Sequence, residues 1–214
     1  MSDTIDVIKH LAREAGQQGG ASQTIGDFNR LLLTGTVGAF ALAFLLVCLA
    51  FAGSFDPGTV LRSYPFHFKI GTMALLAAGA FLILRQQGIP GASLRIAIAA
   101  LPGPVALLFL AIFDRSGYPL FGQNAASVPI CFFAILGASL PALLILLRVM
   151  RRAVVTRPGM AGAAAGLLAG ALGAAAYAIA CENNGALFVF TWYGLSIAVV
   201  CVLGALLGQR YLRW

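Results

Sequence analysis

The sequence predicts an all-α integral membrane protein, a bundle of six transmembrane helices with both termini in the cytoplasm. Three observations lead there. Of 214 residues, 60% are hydrophobic and only 10% charged, whereas a soluble domain carries about 25% charged residues. The sparse charges leave six long uncharged intervals. Eleven of the fourteen Lys and Arg residues then fall on one side of a chain folded through those intervals. The composition excludes a water-soluble core and a disordered chain. Four cysteines in 214 residues are too few for a disulfide scaffold.

The intervals justify the helices in order. Arg30 to Asp56 encloses 25 uncharged residues, Lys69 to Arg85 encloses 15, and Arg95 to Asp114 encloses 18. Arg115 to Arg148 encloses 32, Arg157 to Glu182 encloses 24, and Glu182 to Arg210 encloses 27. A spanning helix needs about 20 apolar residues. The predicted spans are about 31–52, 66–85, 93–113, 127–149, 159–180 and 187–208. The second reaches full length only if Lys69 lies inside it and snorkels its amine to the headgroups. Pro102 and Pro104 in the third span and Pro141 in the fourth are expected to bend their helices. Gly162, Gly166 and Gly170, with Gly204 and Gly208, are small-residue faces, read as packing within the bundle rather than as a homodimer seam.

The charge bias sets the orientation. Lys9, Arg13 and Arg30, Arg85 and Arg95, Arg148 to Arg157, and Arg210 and Arg213 share one side, against Arg62, Lys69 and Arg115. The positive-inside rule puts the first group, and both termini, in the cytoplasm. The +7 charge thereby becomes a topology signal rather than a sign of direct nucleic-acid binding.

Two domains are expected, a cytoplasmic amphipathic tail over 1–30 and a transmembrane domain over 31–214. The tail carries net charge −1, from Asp3, Asp6, Glu14 and Asp27 against Lys9, Arg13 and Arg30. Ile5, Ile8, Leu11 and Ala12 recur at helical spacing and form one apolar stripe. Residues 17–24, rich in Gly, Gln and Ser, read as a flexible linker. So short a helix is marginal alone in water, so the stripe is read as a set of anchors for a partner's groove or for the lipid surface.

Membrane depth groups the cysteines. Cys131 near the start of span four and Cys181 at the end of span five share a level on the outer side, where oxidants reach. They are candidates for a disulfide if their helices touch, or for capture of a soft metal ion. No cofactor motif, phosphate loop or nucleophile–base arrangement is present. Two rival readings are a membrane thiol oxidoreductase and a small transporter. The chain lacks a Cys-x-x-Cys pair for the first and an intramembrane Asp or Glu for the second.

The carboxyl-terminal third carries a resemblance. Thr156-Arg157-Pro158-Gly159 precedes a Gly/Ala-rich span; Tyr177, Cys181, Leu187-Phe188-Val189 and Trp192-Tyr193-Gly194-Leu195 follow, and the chain ends Gly208 to Leu212-Arg213-Trp214. With the stretch Pro129 to Pro141, this resembles the NrsF family, six-span negative regulators of extracytoplasmic-function sigma factors. The resemblance implies an anti-sigma factor of the bacterial inner membrane, not an enzyme, whose tail holds the sigma factor. It also implies that Cys131 and Cys181 sense heavy-metal or oxidative stress. Many members of the family have a histidine just before the second cysteine; Ala180 stands there in this chain.

Overall fold

The computed structural model describes residues 5–7, 21–53, 58, 63–88, 98, 101–113, 117, 119–122, 124, 126–153 and 155–213. The order is α1 (Ala21–Ala50), α2 (Tyr64–Gln87), α3 (Pro102–Ile112), α4 (Ser127–Met150), α5 (Pro158–Tyr177) and α6 (Ala186–Tyr211). Among the described residues there is no strand. Five stretches are long and apolar enough to cross a membrane: Gly26–Ala50, Pro65–Gln87, Ser127–Met150, Pro158–Tyr177 and Ala186–Tyr211. Their outward faces carry Val37, Leu49, Phe133 and Val202, all exposed, an apolar surface that suits lipid rather than water.

The third expected span differs. Its helix α3 has 11 residues, about 16 Å at 1.5 Å per residue, half of a hydrocarbon core. Residues 93–97, 99 and 100 of that span lie outside the described residues. Pro102 starts α3 instead of bending it, because proline's missing N–H costs nothing in a first helical turn. Proline likewise opens α2 and α5, whereas Pro141 lies inside α4.

The first helix also differs from expectation. Residues 21–24 are helical rather than linker, since α1 begins at Ala21. Once an apolar helix is nucleated, each added residue gains a backbone hydrogen bond without a new nucleus, so the helix extends into its polar flank.

Helix α5 is the axis of the bundle. It packs on α6, α4, α2 and α1 and is buried along most of its length. Its Ala and Gly residues permit this, because small side chains let neighbouring backbones approach. A Cβ on Gly166 would meet the Val200 carbonyl oxygen, and one on Gly208 would sit 2.6 Å from the Pro158 oxygen. The thiol of Cys201 donates to the Ala163 carbonyl across the same seam at 3.4 Å.

Two apolar clusters fill the bundle. One, toward the end bearing Arg85, Arg148 and Arg210, gathers Leu84, Leu146, Met150, Leu168 and Leu212. The other gathers Met73, Ile135, Phe188, Tyr193, Cys131 and Cys181. Helix α6 enters this second cluster through a π-helical turn, Val189–Tyr193, before continuing as a regular helix.

Candidate functional site

The site is assembled from four elements. Cys131 is the fifth residue of α4 and fully buried. Cys181 follows the last turn of α5, where Ala178 N–H bonds Ala174 O at 3.1 Å and Ala180 N–H bonds Tyr177 O at 3.0 Å. From Cys181 to Gly185 the chain is neither helix nor turn. This break leaves Cys181 with 6% exposure, its thiol donating to the Asn183 carbonyl at 3.6 Å. Both thiols are free and belong to one packed cluster.

Lys69 is the residue that binds this end together. Ser63 and Pro65 start α2, which places Lys69 a turn and a half inside the helix. Its side chain is 1% exposed. Nζ donates to the Cys181 carbonyl at 2.9 Å and to Asn184 Oδ1 at 3.2 Å. Both thiols lie within electrostatic range of it. The expected snorkelling to the headgroups is therefore corrected: Lys69 points into the bundle. An amine can be buried when acceptors replace its water, and here a carbonyl and an amide do so. Among the described residues no carboxylate pairs with it.

Two tyrosines close the site. The Tyr177 and Tyr193 rings lie 6.1 Å apart, and Tyr177 also stacks on Phe51 at 5.5 Å. Tyr193 is fully buried; its hydroxyl makes no hydrogen bond of regular geometry among the described residues, and it lies close to the Cys181 side chain. The neighbouring Trp192 donates Nε1–H to the Leu120 carbonyl at 2.9 Å. An open recess of about 220 Å³, lined by Phe51, Ser127, Ile130, Tyr177, Glu182 and Asn183, leads toward the Cys181 segment.

The residues named from sequence divide accordingly. Cys131 and Cys181 come together. Among the described residues no third His, Cys, Asp or Glu joins them in a group able to hold a metal ion. Ile5 lies in a helical fragment and is 51% exposed; Ile8, Leu11 and Ala12 lie outside the described residues. From the sequence Lys69 is expected at the headgroups, and Asn184 and Tyr193 receive no role in the site. The short interval from Lys69 to Arg85 was the available signal, since an ionisable group forced inside a span marks a functional site by default.

A family described as "Negative regulator of sigma F", NrsF, matches residues 23–214. The chain belongs to the NrsF family. A relative from Azospira oryzae named "Probable anti-sigma-F factor NrsF" is 34% identical over 99% of both chains. Another NrsF relative, "Anti-sigma-F factor NrsF" from Caulobacter vibrioides, is 30% identical over 99% of both. No solved structure matches the chain. The NrsF match begins at residue 23, after the tail stripe and before the main part of α1.

Proposed function

We propose that this chain is an anti-sigma factor of the bacterial inner membrane. It would hold an extracytoplasmic-function sigma factor with its amino-terminal tail and release it when Cys131 and Cys181 meet a heavy metal or an oxidant. The observation that carries the reading is similarity along the whole chain to relatives named anti-sigma-F factor. The charge bias supports an orientation with both termini in the cytoplasm. The exposure of Ile5 and the helical spacing of Ile5, Ile8, Leu11 and Ala12 support the tail as the docking segment.

The common burial of Cys131 and Cys181 supports the sensing role. Oxidation to a disulfide would take two electrons and two protons from the thiols and pass them to the oxidant. A soft metal would instead displace both protons and bridge the sulfurs. Either event favours one packing of α4 against the Cys181 segment, and a stimulus shifts an equilibrium only through such a difference between states. The role is regulatory, and the partner would be protein and lipid rather than DNA.

Two experiments test the reading. Membranes carrying the full chain should capture a sigma factor from the cytoplasm, and membranes carrying a chain without residues 1–20 should not. Equal capture by both would remove the tail from the mechanism. In a reporter strain, metal or oxidant should fail to induce the regulon when Cys131→Ser and Cys181→Ser are combined. Normal induction there would end the sensing claim.

A further inference from the structure

We infer that Lys69 is a positioning residue that ties the Cys181 segment to α2 and, through α2, to the start of α1 at the other end of the bundle. The second half of this rests on the sensing reading above; the first half stands on contacts alone. Segment 181–185 has no regular backbone structure, yet Lys69 holds it at two points, the Cys181 carbonyl and the Asn184 side chain. The Cys181 thiol is engaged with the Asn183 carbonyl of the same segment. When the sulfur bonds Cys131 or a bridging metal it loses its proton and with it the bond to that carbonyl, in the same short segment that Lys69 holds.

Helix α2 is a continuous rod from Tyr64 to Gln87. From Lys69, Arg85 lies sixteen residues along, about 24 Å at 1.5 Å per residue. There Arg85 Nε donates to Asn29 Oδ1 of α1 at 2.9 Å. Just beyond, Gly88 packs so closely on the Phe28 ring that an added Cβ would lie 2.5 Å from it. Phe28 and Asn29 belong to the segment that leads from the tail into the bundle. A single helix thus touches the cysteine segment at one end and the root of the tail at the other. Coupling between distant sites needs such an element, one whose position both ends bias.

The test uses the full chain in lipid nanodiscs and needs neither sigma factor nor stimulus, so it is separate from the sensing reading. In a background carrying Cys48→Ser, Cys131→Ser and Cys201→Ser, the rate of N-ethylmaleimide labelling reports release of Cys181. Losing two hydrogen bonds should raise that rate on the order of tenfold in Lys69→Met, whereas Lys69→Arg should stay near the parent. Hydrogen exchange on chains with native cysteines should then quicken in Lys69→Met at residues 181–185 and at 26–31, with 139–147 unchanged. Should Lys69→Met fail to fold, Asn184→Ala, which removes one acceptor, should give the same pattern more weakly. An unchanged labelling rate in the folded variants would overturn the positioning role. Faster exchange confined to 181–185 would overturn the coupling to α1.

Discussion

Gly162 and Gly204 occupy each other's side-chain space: a Cβ added to either would fall on the carbonyl oxygen of the other. The α5–α6 seam is therefore backbone against backbone, of the kind small residues four apart allow. Replacing either glycine by valine should separate the two helices and cost about 3 kcal/mol or more. Thermal unfolding in detergent checks this. Gly38→Ala, where nothing lies within 4 Å of the added carbon, should be neutral or gain about 0.5–1 kcal/mol from helix propensity.

Ser139 offers a change of opposite sign. Its Oγ is buried in α4 without a hydrogen-bond partner among the described residues, so it bears a desolvation cost with no return. Ser139→Ala should raise stability by about 1 kcal/mol, read as an upward shift in melting temperature.

The four cysteines should divide by place. Cys48 and Cys201 lie outside the apolar cluster that holds Cys131 and Cys181, so Cys48→Ser and Cys201→Ser should leave induction by metal or oxidant at the parent level. Cys131→Ser and Cys181→Ser should each abolish it. A reporter strain measures all four, and a response carried equally by Cys48 would relocate the sensor.

Trp192 anchors the turn before α4 to the π-helical turn of α6. Trp192→Phe keeps an aromatic ring beside Phe121, whose ring lies 6.3 Å away, but deletes the bond to Leu120 O. The expected loss is about 1 kcal/mol in the melting curve, with faster proteolysis between residues 113 and 126.

Ile5→Asp combined with Ile8→Asp should abolish capture of a sigma factor while leaving the amount of membrane-inserted protein unchanged. Immunoblots of membrane fractions before and after capture compare the two directly.

The helical class and its apolar spans were legible because a lipid solvent forces long uncharged runs, and counting gaps between charges finds them. The limit of that arithmetic appears at α3, where the 18-residue gap from Arg95 to Asp114 contains a helix of only 11 residues. A gap bounds where a helix fits, while Pro102 decides where it starts. The common level of Cys131 and Cys181 followed from rise per residue alone. Lys69 did not, because a lone amine near a helix end can turn outward to headgroups or inward to acceptors with the same sequence. The inward choice depends on Cys181 O and Asn184, more than a hundred residues away, and on a break in α5 that no periodicity announces.

The π-helical turn at Val189–Tyr193 has a consequence for how this chain can vary. One surplus residue in a helix rotates everything beyond it by about 100°. That rotation brings Phe188 and Tyr193, five residues apart, into one cluster, while regular helical spacing carries the Tyr193 face on to Gly204 and Gly208, eleven and fifteen residues later. The glycine seam is thus phased by the wide turn upstream of it. Substitutions within Val189–Tyr193 leave that phase as it is, but deleting a single residue there would turn the whole glycine face relative to Phe188. Length, more than identity, is what this stretch must preserve.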